Sequence, residues 1–307
     1  MASRVAVVGS LSIDLIARAP HLPRPGETVA GSTFFTCPGA KGGNQAVAAA
    51  RLGASVAMVG CVGSDAYGPQ VRDALAHEGI DITAVTTVDG PTGVAMIFVE
   101  EGGQNAIVVI PGANAALTPA LVERHTATLA QADVVVAQCE IPLETVIWLA
   151  AYAHAHDKTL VLNPAPAHGP LPRTLLARAT YVIPNEVEAG ALTGLPVDTD
   201  AQARAAAELL RALGAPAALI TLGARGVMAA SAGGTHHHPA QVVDVVDTTA
   251  AGDAFVGGFA TALAEGRDLT AAIAFGQATA ALAVTRVGTQ PSLPFRRELS
   301  APPAGAG

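Results

Sequence analysis

Asp253 closes the run Asp247-Thr248-Thr249-Ala250-Ala251-Gly252-Asp253, and Gly257-Gly258 follow shortly after. Gln241 to Val246 before it is an alternating run that reads as a strand, and Ala254 to Leu263 after it is a small-residue run that reads as a buried helix. Small residues and one carboxylate therefore sit where a strand turns into a helix. A helix N-terminus there offers unpaired N–H groups and the positive end of the dipole, which together attract anions. Ala250, Ala251 and Gly252 have little bulk to keep a phosphate from those N–H groups. A carboxylate beside an anion site is repulsive, unless it removes a proton from a hydroxyl that attacks a phosphoryl group. Asp253 reads equally well as an ordinary first-turn helix acid. The segment alone leaves both readings open.

Other polar groups fall at comparable junctions. Val5 to Val8 reads as a buried strand, and Asp14 lies just beyond it, where α/β proteins place ligand groups. Gly9 to Asp14 contains no G-x-G-x-x-G, so the dinucleotide fingerprint is missing. Lys41-Gly42-Gly43-Asn44 enters a helix over Gln45 to Leu52 without a Walker A pattern, and Asn44 is a possible N-cap. Glu140 follows the strand Val134 to Ala137. Asn185 and Glu188 stand at capping-box spacing after a strand from Tyr181. His236-His237-His238 are consecutive on a strand or loop and do not share a face, which argues against a metal site.

These residues need a scaffold. From Ser55 onward strands alternate with helices, including Tyr67 to Glu78, Pro119 to Ala130, Leu143 to Ala155, Ala201 to Leu213 and Ala271 to Val284. The alternation predicts an α/β fold: a doubly wound, mostly parallel sheet with helices on both faces. Four short β-like pieces interrupt it: Glu27 to Ala30, Ser32 to Phe35, Gly93 to Val99 and Ala106 to Ile110. They predict a small β-sheet lid inserted from about 20–36 and 93–110 into one domain spanning 1–300, with a fraying tail at 301–307. Phe34 and Phe35 would face opposite sides of that sheet.

The chain has 307 residues, half of them apolar, which suffices for a large core. A net charge of −8 disfavours nucleic acid as a partner. Cys37, Cys61 and Cys139 are odd in number, far apart and without metal spacing, as expected of reduced cytoplasmic thiols. Val5 to Val8 is too short for a signal segment, and no apolar stretch reaches about 18 residues, so no membrane role is expected.

Taken together, Asp247-Thr-Thr-Ala-Ala-Gly-Asp253 with Gly257-Gly258 resembles the C-terminal signature of the ribokinase family of sugar kinases. Gly39-Ala-Lys-Gly-Gly-Asn44-Gln-Ala-Val-Ala resembles its N-terminal signature. Asn163-Pro-Ala-Pro-Ala167, Pro184-Asn-Glu-Val-Glu188 and Thr221-Leu-Gly-Ala-Arg-Gly226 lie between them in the family's order. The resemblance spans roughly Val5 to Ser292. It implies ATP-dependent phosphorylation of a primary hydroxyl, O5 of D-ribose giving ribose 5-phosphate. It implies Asp253 as base, with the N–H groups of Ala251, Gly252 and Asp253 forming an anion hole that the small Ala250, Ala251 and Gly252 leave open. Sugar contacts would come from Ser12, Asp14, Ala40, Lys41, Gly42, Asn44 and Glu140. The nucleotide would meet Asn185, Glu188, Thr221, Gly223, Gly226 and Gln277, with Mg²⁺ on its phosphates. K⁺ would sit behind the anion hole, among Asp247, Thr249, Ala283, Arg286, Gly288 and Ser292. A homodimer through the lid is also implied. Ser12 and Ala40 depart from the family pattern, which carries Asn and Gly there, so 2-deoxyribose, a hexose or a nucleoside stays open as substrate. A non-catalytic sugar or nucleotide sensor stays open as well.

Overall fold

The computed structural model describes residues 3–100, 102, 104–167 and 169–299, so the expected tail at 301–307 lies outside the described residues. The chain opens with β1 (Arg4–Val8), and β2 (Ser12–Ala19) and β3 (Thr33–Gly39) then leave the main body as an antiparallel pair. The chain returns through α1 (Lys41–Arg51), β4 (Ser55–Gly63), α2 (Tyr67–His77) and β5 (Val85–Val88). A second excursion, β6 (Gly93–Glu100) and β7 (Asn105–Ile110), pairs with the first. Next come α3 (Pro119–Glu123), α4 (Thr126–Gln131), β8 (Val134–Gln138), α5 (Leu143–Ala155), β9 (Thr159–Asn163), α6 (Arg173–Arg178) and β10 (Tyr181–Val182). They are followed by α7 (Glu186–Thr193), α8 (Asp200–Ala212), β11 (Ala218–Thr221), β12 (Val227–Ser231), β13 (Gly234–His238), α9 (Ala251–Ala264), α10 (Leu269–Ala283) and α11 (Arg296–Leu299).

The large sheet has the order β13-β12-β11-β10-β9-β8-β1-β4-β5 and is parallel except at β11-β12-β13. It is buried on both faces. Val5 and Val7 of β1 face the core formed with α1 and α9, while Ala6 and Val8 face the core formed with α5. β1 pairs with β4 on one side and β8 on the other, so the winding reverses there. Ligands of such sheets bind at this switch point, beyond the strands' C-terminal ends.

The second sheet has the order β3-β2-β6-β7. Its position in the chain corrects the expected lid. Ser12–Ala19 is a strand, so Asp14 stands within the small sheet and not in a loop. A carboxylate in mid-run masks that strand in the sequence, because Asp is depleted from strands. Glu27 to Ala30 forms no strand. Gly26 turns the chain with φ +81°, and the Glu27 carboxylate folds back onto the Arg24 N–H and the His21 ring. Gln241 to Val246 likewise forms no strand: the large sheet ends at β13, and Val242, Val245 and Val246 stand exposed. Pro119 to Ala130 divides into α3 and α4 at Arg124 and His125. Among the described residues no helix is long and apolar enough to cross a membrane.

Candidate active site

The entry to α9 is built by Asp247. Its Oδ1 accepts from the Thr249 N–H at 2.8 Å and the Thr249 hydroxyl at 2.5 Å, which folds the chain into a turn. The Ala251 N–H then closes onto the Thr248 carbonyl at 3.2 Å, and Ala250 takes the left-handed conformation with φ 60°. The N–H groups of Gly252 and Asp253 have no protein acceptor among the described residues. The anion hole is therefore narrower than expected: Gly252 and Asp253 present free donors, and Ala251 is engaged in the turn. A side chain at Gly252 would meet nothing within 4 Å, so the fold does not require glycine there.

Asp253 is buried in the first turn of α9. Its Oδ2 accepts from Asn44 Nδ2 at 2.9 Å, and its Oδ1 accepts from Gln45 Nε2 at 2.9 Å. Glycine makes this meeting of α1 and α9 possible: a Cβ on Gly257 would lie 2.5 Å from Ala48 Cβ. Asn44 is thus not an N-cap; Ala40 holds that position, with φ 67° and ψ 151°. That region is costly for a residue with a side chain, by about 1–3 kcal/mol. Asn44 Oδ1 is buried and has no hydrogen-bond partner.

Across the switch point, the Ser10 hydroxyl donates to Glu140 Oε2 at 2.6 Å, and the Lys41 N–H reaches the same oxygen at 3.0 Å. The Gly42 N–H donates to the Ser10 hydroxyl at 3.1 Å. A Cβ on Gly42 would lie 2.5 Å from the Ser10 carbonyl oxygen, so this glycine serves the strand–helix junction. Ser12 donates to Asp14 Oδ1 at 3.1 Å from the same strand. Burial, together with the Glu140 and Asp253 charges, outweighs that bond and raises the Asp14 carboxyl to about 6. Burial works against the Lys41 charge, yet Asp253, Glu140 and Glu188 hold its pKa above the ordinary lysine value. One ammonium thus stands among several acids.

Beside this cluster runs a cleft of about 190 Å³, lined by Lys41, Asn163, Asn185, Glu188, Thr221, Thr248 and Ala250 to Asp253. The capping box is real. Asn185 Oδ1 accepts from the Glu188 N–H, and Glu188 Oε2 accepts from the Asn185 N–H, both at 2.8 Å. Burial raises the Glu188 pKa, and its Oε1 has no protein partner among the described residues. Cap and cleft wall are the same side chain.

A family model described as pfkB family carbohydrate kinase matches residues 2–296. The chain belongs to this family. It is a phosphotransferase that acts on a sugar hydroxyl. The chain is 43% identical to a ribokinase of Haemophilus influenzae, over 97% of each chain. It is 38% identical to a deoxyribokinase of Salmonella typhi, over 94% of this chain and 95% of the relative. An Arabidopsis thaliana ribokinase complexed with ribose and ATP superposes with a TM-score of 0.91 at 33% identity, covering 97% of this chain and 98% of that one.

Seen as a carbohydrate kinase, the chain brings most of the expected residues to one edge. Gly223 (φ +54°) and Gly226 (φ +101°) shape the turn after β11, and a Cβ on Gly226 would overlap the His238 carbonyl. Gln277 does not line the cleft; its amide donates to the His238 and Pro239 carbonyls. Of the residues expected at a cation, Asp247 meets Thr249 and Gly288. Asp247 Oδ2 accepts from the Gly288 N–H at 2.9 Å, and the Val246 and Asp247 N–H groups bond to the Val284 carbonyl. Burial alone would raise the Asp247 pKa, but bonds from Thr249 and Gly288 hold it below the usual carboxylate value. The Arg286 guanidinium turns away to Glu298, and the Ser292 hydroxyl donates to the Thr289 carbonyl. The potential donors here are oxygens, as a hard cation requires.

Ser10, Gln45, Gln138 and Asn163 were not singled out as site residues by sequence reasoning. Ser10 was within reach, since it directly follows a buried strand. The amides carry no local signature: Gln45 meets Gln138 and Asn163 from 93 and 118 residues away.

Proposed function

We propose that the protein transfers the γ-phosphoryl group of ATP to O5 of D-ribose, giving D-ribose 5-phosphate and ADP. The observation that carries this reading is the Asp253 carboxylate in the same helical turn as the open N–H groups of Gly252 and Asp253. Asp253 takes the proton from O5 as that oxygen attacks the γ-phosphorus, and the bond to the β–γ bridging oxygen breaks. The two N–H groups stabilise charge on the transferring phosphoryl. Asp14 and Glu140 accept from sugar hydroxyls, and Asn44 Oδ1, unpartnered beside the base, gains a donor when a hydroxyl enters. Lys41 balances the acids.

Asn185 and the free oxygen of Glu188 would hold Mg²⁺ through its waters, and that ion supplies charge neutralisation of the triphosphate. Oxygens of Asp247, Thr249, Ala283, Arg286, Gly288 and Ser292 would hold K⁺, which stiffens the loop entering α9. Faster turnover in K⁺ than in Na⁺, at fixed ionic strength and Mg²⁺, supports that site, and equal rates overturn it. The small sheet leaves Phe34, Val108 and Ile110 of one face and Phe35, Ile107 and Val109 of the other exposed. A homodimer that covers them with the partner's sheet follows, and a monomer mass in sedimentation would refute it. ATP chemistry and three free thiols are consistent with the cytoplasm.

Coupled measurement of ADP release with ribose, 2-deoxyribose, hexoses and nucleosides tests the reading. The relative at 38% named deoxyribokinase makes 2-deoxyribose the specific rival. Ribose binding without ADP release would identify a sensor instead.

A further inference from the structure

Behind Asp253 lies a chain of buried amides whose polarity is set from outside the site. Asn163 Nδ2 donates to the Ile183 carbonyl at 2.8 Å, and a backbone carbonyl can only accept. Asn163 must therefore turn its Oδ1 toward Gln45. Gln45 Nε2 meets that oxygen at 3.1 Å and Asp253 Oδ1 at 2.9 Å, so both of its N–H bonds are engaged. Gln45 Oε1 then faces the opposite way and accepts from Gln138 Nε2 at 2.7 Å. Gln138 is wholly buried at the end of β8, and Gly9 makes room for it: a Cβ there would lie 1.9 Å from Gln138 Oε1. Reversing the Gln45 amide would set its oxygen against two oxygens at once. The backbone acceptor at the Asn163 end leaves Gln45 one orientation, and Gln138, whose own Oε1 has no partner among the described residues, presents its N–H to the oxygen that this orientation exposes.

We propose that Gln45 is a positioning residue for the Asp253 carboxylate, with its donor orientation imposed by Asn163 and its oxygen held by Gln138. Asn44 and Gln45, consecutive on α1, each engage one oxygen of Asp253, which fixes the plane of the carboxylate. A base whose plane is fixed meets the attacking hydroxyl without reorganisation, and small misplacements of reacting groups are costly to rate. Gln138 touches neither substrate nor base and acts only through Gln45. The proposal rests on Asp253 being the base.

The test uses the full chain and four variants: Gln45→Met, Gln138→Met, their double variant and Asp253→Asn. With ribose and ATP, Gln45→Met is expected to lower kcat by about tenfold or more. Its KM for ATP should stay within twofold of the parent, while its melting temperature falls, because three buried polar groups lose a partner. Gln138→Met is expected to lower kcat severalfold. The double variant should be no slower than Gln45→Met alone, because Gln138 has no other route to the site. A packing role alone would lower melting temperature and leave kcat of the folded fraction unchanged; the unchanged kcat overturns the proposal. So does multiplication of the two losses in the double variant. If Gln45→Met does not fold, Gln138→Met decides: a kcat loss at unchanged KM for ATP supports the relay, and parent-like kcat refutes it. Undiminished kcat in Asp253→Asn would remove the base itself. Undiminished kcat in Gln45→Met, with Asp253→Asn inactive, would remove only the relay.

Discussion

At the end of the cleft proposed to take the sugar, the polar side chains are buried and bonded to one another; at the end proposed to take the phosphate, the donors are backbone N–H groups left open. Ser10, Ser12, Asp14, Asn44 and Asp253 are each less than a tenth exposed, and four of the hydrogen bonds that join this cluster are made by side chains on both sides. Gly252, in contrast, has nothing within 4 Å of where its side chain would be. The first end is specified by side chains and is therefore costly to fold. The second is specified by backbone geometry and costs little. Substitutions at the sugar end should move stability and activity together, and substitutions at the phosphate end should move activity alone.

The largest expected effect belongs to the residue shared by both ends. Asp253→Asn keeps the shape but removes the base, and loss of a general base costs about 10²–10⁴-fold in kcat, or more where groups act as a unit. ATP affinity should survive, because the open N–H groups remain. Single-turnover rates and equilibrium ATP binding check this, and near-parent kcat would take Asp253 out of the mechanism.

Gly252→Ala isolates the phosphate end. Ala is favoured over Gly within a helix by about 0.5–1 kcal/mol, so the variant should melt at or slightly above the parent temperature. The new methyl group sits over the open donors, and kcat/KM for ATP should fall by roughly tenfold, as for a partial loss of charge stabilisation. Activity within twofold of the parent would mean that phosphate does not approach there.

How much of this contrast is visible in the sequence depends on which atoms carry it. The phosphate end is local: a strand-like run, small residues and a helix-forming run lie within one segment, so Asp253 and Gly252 were readable. Even so, the supposed strand over Gln241 to Val246 is an exposed connector, because no neighbouring strand lies beyond β13 to pair with it. The engagement of the Ala251 N–H depends on backbone angles that residue types do not reveal. The Asn185–Glu188 cap was readable for the same reason of locality. The sugar end is assembled from β1, β2, β8, β9, α1 and α9, and its amides meet only in the fold. The sequence marks Asp14 as a candidate site residue but not as part of a strand, since its charge hides the very strand that carries it.

Asp14 supplies the pH test of the comparison. Its folded pKa of about 6 lies above the ordinary aspartate value of 3.8. The folded state therefore binds this proton more tightly than the unfolded state. The associated stability is complete below pH 3.8 and is lost as pH rises through about 6. Asp14→Asn should remove this loss and raise the stability of the ligand-free protein at pH 8 by about 3 kcal/mol, since each tenfold difference in proton affinity between the two states is worth about 1.4 kcal/mol. The same variant should lose sugar affinity. In the parent, KM for sugar should rise as pH falls through about 6, while KM for ATP is less affected. Denaturant melts at pH 5 and 8 check the first part. Equal pH dependence in parent and variant would show that burial of Asp14 is not a stability cost.

The smallest expected effect is at Ser12, and it concerns which sugar the buried end prefers. Ser12 gives its proton to Asp14 Oδ1, so towards a sugar hydroxyl it can only accept. An Asn side chain would reach further and offer both a donor and an acceptor. Gly39 and Gly93 lie opposite Ser12 on the two neighbouring strands, and the Asp14 carboxylate and the Asn114 amide fill the space beside them, so an Asn there must share that space with both. A site that bonds a hydroxyl directly rejects the analogue lacking it, since buried polar groups are then left unpaired. A shorter arm that bridges through water rejects it less. Ala40, with its methyl group in a backbone region that favours glycine, directly precedes Lys41 at the start of α1. Ribose should therefore remain the better substrate, but by a narrower margin over 2-deoxyribose than an Asn-bearing site gives. Ser12→Asn should widen the ratio of kcat/KM for the two sugars by about fivefold, the equivalent of one neutral hydrogen bond of about 1 kcal/mol. Measuring both sugars on both forms settles it. An unchanged or lower ratio in the variant would exclude Ser12 from sugar selection, and a strong parental preference for 2-deoxyribose would reverse the substrate assignment and align the chain with its deoxyribokinase relative.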